Sequence, residues 1–115
     1  MVFEIVAIVT SANGKEAELE ELLKEVTSGV EKYEPDVEKY LAYKVMGRRH
    51  TDRPTEFVVI ERFKDEATFN THVALEYFKD LGRRMGGQKL LAKPLNLMKV
   101  VRIAGFDSRQ GGAKL

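Results

Sequence analysis

Apolar residues recur along this chain with two different periods, and the switches between them divide it into elements. Residues 2–10, VFEIVAIVT, are rich in β-branched side chains and short enough for a strand. Asn13-Gly14 marks a turn, and from Lys15 the period lengthens. Leu19, Leu22, Leu23, Val26, Val30 and Tyr33 follow the spacing of one helical face. On the opposite face Glu20 precedes Lys24 by one turn, a favourable exposed pair. Pro35 ends this helix, because the residue before a proline is pushed out of the α region.

The runs LAYKVMG, 41–47, and EFVVIERF, 56–63, predict the second and third strands, with the polar RRHTDRPT, 48–55, as the hairpin loop between them. Asp65 is placed to cap a helix that runs to about Ala74. EYFKDLGRRM, 76–85, continues or restarts it, with Tyr77, Phe78, Leu81 and Met85 at helical spacing and Gly86-Gly87 as its stop. LNLMKVVRIA, 95–104, predicts the fourth strand, and GFDSRQGGAKL a tail. The order β-α-β-β-α-β predicts an α+β, ferredoxin-like fold: a four-stranded antiparallel sheet with helices on one face. No repeat or linker divides the 115 residues, so we read one domain over 1–105 and a tail over 106–115.

Both faces of this sheet are apolar. Phe3, Ile5, Ala7 and Val9 alternate with Val2, Val6 and Ile8 on the first strand; Phe57, Val59 and Phe63 oppose Val58 and Ile60 on the third. On the fourth, Leu97, Val101 and Ile103 oppose Met98 and Val100. An antiparallel sheet with one wet face alternates apolar with polar instead. Helices cover one face, and the tail offers only Phe106, Ala113 and Leu115 as apolar cover for the other. The expectation is a homodimer packed sheet against sheet, with the tail reaching toward the partner.

Composition removes several function classes. There is no cysteine, hence no disulfide, thiolate metal site or thiol nucleophile. That suits a cytoplasmic protein, and no apolar run is long enough to span a membrane. The net charge of +1 does not favour a polyanion, and the Arg48-Arg49-His50 and Arg83-Arg84 clusters lack interleaved aromatics, so nucleic acid is not an expected partner. Phosphate-binding glycine loops, GxSxG and HExxH are missing, and no metal is expected.

The candidate chemistry centres on IERFKDEATFNTH, 60–72. Phe69, His72 and Val73 share the helix face that packs on the sheet. His72 is there either as a satisfied core histidine, bonded to a backbone carbonyl or to Glu61, or as the one titratable group of an apolar pocket. A dry pocket would favour the neutral ring, ready to take a proton. Strand alternation puts Glu61 in the row of Phe57, Val59 and Phe63, where a glutamate needs a partner. A neighbouring strand, Arg102 or His72 could supply it. Tyr43, Met46, Phe63, Phe69, Tyr77 and Phe78 are candidates to line the pocket, or plain core.

Glu61, Arg62, Phe63, Asp65, Phe69 and His72 match, in order and spacing, a signature of the antibiotic biosynthesis monooxygenase domain family, which the chain resembles over roughly 2–104. Phe63 stands where the family often has Trp. The Gly14-Lys15 helix entry and the Glu34-Pro35 step match as well, with VEK at 37–39 reading as extra residues. The resemblance implies a dimeric α+β barrel and a cofactor-independent oxygenase of a small aromatic, polyketide or quinol-type substrate. A base deprotonates the phenol or hydroquinone, and the anion passes an electron directly to oxygen. His72 carries over as base or anion stabiliser. The heme-degrading branch needs an Asn on the first strand, a Trp and a heme-ligating His. VFEIVAIVT has no Asn, and His72 and Gly82 stand at about the other two positions, so heme is not expected. The alternatives are a polyketide cyclase or lyase of the same fold, and a non-catalytic small-ligand-binding dimer.

Overall fold

The computed structural model describes residues 1–46 and 54–109. The Arg48-Arg49-His50 cluster and most of the expected hairpin loop lie outside them, as does the end of the tail. The elements are β1 (Phe3–Thr10), α1 (Glu16–Tyr33), β2 (Val37–Lys44), β3 (Glu56–Phe63), α2 (Glu66–Ala74), α3 (Glu76–Gly87) and β4 (Asn96–Val100). They form one four-stranded antiparallel sheet in the order β2-β3-β1-β4. This is the ferredoxin-like α+β arrangement, with its second helical region split in two.

Alternation decides what each strand buries. Phe3, Ile5, Ala7 and Val9 of β1 point under the helices and are buried, as are Phe57, Val59, Glu61 and Phe63 of β3. Register sets these rows against each other: Phe3 faces Phe63, Ile5 faces Glu61, Ala7 faces Val59 and Val9 faces Phe57. Onto this face α1 lays Leu19, Leu22, Leu23, Val26 and Val30, while α3 adds Leu81 and Met85. Tyr33, expected in the same stripe, is exposed at the last turn. A smaller cluster of Phe3, Ile5 and Phe63, with Phe69 and Val37 against it, closes the end of the sheet.

Three boundaries differ from the sequence reading, each for a local reason. The second strand occupies Val37–Lys44 rather than 41–47, so VEK is strand rather than insertion. A register irregularity between Val37 and Lys39 resets the pleat there, and the first residues of the strand are mostly polar. The fourth strand stops at Val100, not residue 104. Val100 already pairs with Glu4, and β1 begins one residue earlier at Phe3. The helix expected to about Ala74 does end there, and Leu75, with an extended backbone (ψ 139°), makes 76–85 a restart rather than a continuation. Finally, α3 runs through Gly87, and the left-handed residue beyond it is Lys89 (φ 54°) rather than a glycine.

The caps behave as their chemistry predicts. The Asp65 carboxylate accepts from the Thr68 backbone N–H at 2.9 Å, opening α2. Glu34, preceding Pro35, leaves the helical region (φ −128°, ψ 71°) and ends α1.

Candidate functional site

Glu34 is the residue that the end of α1 turns inward. Having left the helical path, its side chain enters the space between α1, α2 and the sheet instead of following the solvent-facing stripe. There its Oε1 accepts from His72 Nδ1–H at 2.7 Å. His72 is supplied by α2 and is only 1% exposed. Its other nitrogen, Nε2, is 3.5 Å from Glu61 Oε1 and has no hydrogen-bond partner. The imidazole thus sits between two buried carboxylates, held by one and close to the other. These carboxylates lie at opposite ring nitrogens, so the three groups do not converge on a common point where one ion could sit.

Aromatic rings wall this cluster. Phe78 of α3 stacks closest, at 4.5 Å between centroids, followed by Phe63 at 5.4 Å and Tyr40 at 6.0 Å. Tyr40 lies directly opposite Glu61 in the β2–β3 register. Burial pushes the Glu61 carboxyl up to about 7, with the Glu34 charge as a second cause. Burial also pushes the Tyr40 phenol well above its usual range, followed by the charges of Glu61 and Glu34. Tyr40 therefore rests neutral, and Glu61 exchanges its proton near neutral pH.

Two clefts approach the cluster. One, about 490 Å³, runs between α1 and β2 and is lined by Leu23, Tyr40, Ala42, Tyr43 and Phe57 under a rim of Glu20, Lys24 and Lys44. The other, about 370 Å³, opens where α1 ends against α2 and is lined by Glu34, Val37, Thr68, Thr71 and Leu75. Neither is lined by His72 or Glu61.

The residues singled out in the sequence separate accordingly. His72 and Glu61 are brought together, with Phe63 and Phe78 against the ring. Phe69 packs edge-on to Phe63 and Phe3. Tyr43 borders the α1–β2 cleft without touching the cluster, and Met46 is 88% exposed. Tyr77 lies in a groove between α1 and α3, against Gly29. Arg102 pairs with Asp107, not Glu61. Glu34 and Tyr40 were missed. The sequence marks Glu34-Pro35 as a helix stop and a step shared with the family, not as a site, and Tyr40 falls outside the strand expected over 41–47.

A family model described as antibiotic biosynthesis monooxygenase matches residues 2–84, which hold Glu34, Tyr40, Glu61 and His72. The chain belongs to the antibiotic biosynthesis monooxygenase family. Solved structures repeat the fold. A proposed antibiotic biosynthesis monooxygenase from Caulobacter crescentus superposes with a TM-score of 0.74 at 20% identity, over 90% of this chain and 91% of that one. PA3566 from Pseudomonas aeruginosa gives 0.72 at 24% identity, over 90% and 95%. Rv0793 from Mycobacterium tuberculosis gives 0.70 at 17%, over 96% and 100%. No curated protein matches the chain. Among the described residues of this family member, no helix is long and apolar enough to cross a membrane.

Proposed function

We propose that the protein is a monooxygenase of a small phenolic or hydroquinone substrate, polyketide-like or quinol-type, working without metal, heme or flavin. The observation that carries this reading is the buried Glu34–His72–Glu61 cluster behind the α1–β2 cleft. Deprotonating a phenol needs a base whose proton exchanges near neutral pH and a site dry enough to keep the anion reactive. Glu61, held near 7, supports the first need, and the apolar lining of the cleft by Leu23, Ala42 and Phe57 supports the second. The phenolate or hydroquinone anion then gives an electron to oxygen. One oxygen atom enters the carbon skeleton and the other leaves as water. Family membership supports a general monooxygenase-like role.

The proposed enzyme works as a homodimer. Three rows cross the outer sheet face in register: Lys39, Arg62, Glu4 and Val100; Leu41, Ile60, Val6 and Met98; Tyr43, Val58, Ile8 and Asn96. The middle row is wholly apolar. On the helix side, β4 projects past the helices and leaves Leu97 58% exposed. A second copy covers such surfaces most simply.

Oxygen uptake with 1,4-naphthalenediol and with an anthrone, followed by product mass after turnover in isotopically labelled oxygen, tests the reaction. The expected result is uptake above the uncatalysed rate, with one labelled atom per anthrone converted to its quinone. Conversion of a linear poly-β-ketone without oxygen uptake would replace this reading with a cyclase. Binding of both aromatics without turnover would replace it with a ligand carrier.

A further inference from the structure

The α1–β2 cleft reaches the aromatic wall of the buried cluster through Tyr40. Tyr40, Ala42 and Lys44 form the inward row of β2, set opposite Glu61, Val59 and Phe57. Ala42 is the small member of that row, and the cleft of about 490 Å³ that it lines has room for a bicyclic aromatic. Tyr40 stands opposite Glu61, yet among the described residues its hydroxyl makes no hydrogen bond. Nor is it one of the sealed polar atoms that lack a partner, which are Thr10 Oγ1, Glu34 Oε2, His72 Nε2 and Tyr77 Oη. A hydroxyl that is neither bonded nor sealed opens on free space, and for Tyr40 that space is the cleft. We infer that Tyr40 is a catalytic residue: its hydroxyl donates the hydrogen bond that holds the substrate's phenolic oxygen, and this bond strengthens as the oxygen becomes an anion.

The other side-chain donors around the cleft are committed or lie on its exposed rim. Thr27 Oγ1 donates to the Leu23 carbonyl at 2.8 Å, so toward the cleft it can only accept. Lys44 is paired with Glu20 at 3.0 Å, and Lys24 with Glu20 and Glu21 at 3.5 and 3.4 Å. Ser28 and Tyr43 are exposed. Burial, and then the charges of Glu61 and Glu34, hold the Tyr40 phenol well above its usual range, so it keeps a proton to share. No proton changes owner in this contact. A hydrogen bond to an anionic oxygen is roughly twice as strong as one to a neutral oxygen, so the contact favours the ionised substrate over the bound phenol. The apolar surface of Leu23, Ala42 and Phe57 weakens competition from water for the same oxygen.

This inference rests on the oxygenase reading only for the identity of the substrate, and its test separates the two. The binding probe is 4-nitrophenol, whose absorbance reports its ionisation and which does not react with oxygen. Tyr40→Phe should bind the 4-nitrophenol anion about tenfold more weakly than wild type, with a smaller loss for the neutral phenol. Its urea midpoint should be unchanged, because the lost hydroxyl strands no partner. Ala42→Phe, which fills the cleft, should abolish binding of both forms. With 1,4-naphthalenediol, Tyr40→Phe should lower kcat and kcat/KM together by about 10²-fold. Equal affinity of wild type and Tyr40→Phe for the anion overturns the inference, as does a wild-type protein that binds no 4-nitrophenol. A lower urea midpoint in Tyr40→Phe would reveal a protein partner for the hydroxyl, and unchanged binding in Ala42→Phe would put the ligand elsewhere; either result overturns it too. Loss of anion affinity in Tyr40→Phe, in a protein that consumes no oxygen, keeps Tyr40 as the donor to a bound phenol and removes the oxygenase reading.

Discussion

Glu34 and His72 are 38 residues apart in sequence and share a buried hydrogen bond of 2.7 Å, the shortest contact of the imidazole. The bond joins the cap of α1 to the face of α2, so it fixes how the two helices meet over the sheet. It also means that neither residue can be removed alone without stranding the other in a dry site.

His72→Ala should therefore destabilise the protein by about 3–5 kcal/mol, because it opens a cavity and leaves a buried carboxylate without its donor. Glu34→Gln in the same chain should return more than about 1 kcal/mol of that loss, since the stranded group is then neutral. Urea unfolding of the two single variants and the double variant at neutral pH measures the coupling. Additive losses would show that the pair is not energetically linked.

The stability of the protein should fall as pH rises through the range in which Glu61 ionises. Its carboxyl is held at about 7 in the folded chain against an ordinary 4.5. Between those values the folded chain keeps a proton that the unfolded chain has released, so rising pH favours unfolding. The effect is complete above the higher value and amounts to something on the order of 3 kcal/mol. Glu61→Gln keeps the shape and cannot ionise, so it should flatten this slope. Denaturation midpoints from about pH 5 to pH 8 decide the matter, and an equal slope in both proteins would assign it to other groups.

Two glycines in helix interiors carry no structural requirement. A Cβ at Gly29 would meet the Tyr77 ring at an ordinary 3.5 Å, and one at Gly82 would meet nothing within 4 Å. Gly29→Ala and Gly82→Ala should each stabilise by about 0.5–1 kcal/mol. Gly14 differs, because the turn into α1 holds it at φ +80°, and Gly14→Ala should cost about 1 kcal/mol. Thermal unfolding of the three variants checks the order, and a loss at Gly82 would contradict it.

Sedimentation at micromolar concentration should give twice the 13.1 kDa chain mass. Met98→Asp places a charge in the apolar row with Leu41, Ile60 and Val6, and should shift the protein toward monomer without unfolding it. A wild-type protein that sediments as a stable 13.1 kDa species would remove the dimer.

Element order, the third strand, the Asp65 cap and the end of α1 at Pro35 were all written in the sequence, because each rests on local chemistry: period, cap and proline geometry. So was the burial of Glu61, which alternation places among Phe57, Val59 and Phe63. His72 was legible as a buried helix-face residue for the same reason. Its partner was not. Glu34 is an ordinary glutamate at a helix end, and only the packing of α1 and α2 on one sheet face brings its carboxylate to Nδ1. Tyr40 was hidden by the register irregularity at Val37 and Lys39, which fixes the side of the sheet that the rest of β2 presents. A pleat has period two, so a one-residue shift sends a side chain to the opposite face. Cross-strand pairing resolves that choice, and it places Tyr40 opposite Glu61, beside the histidine.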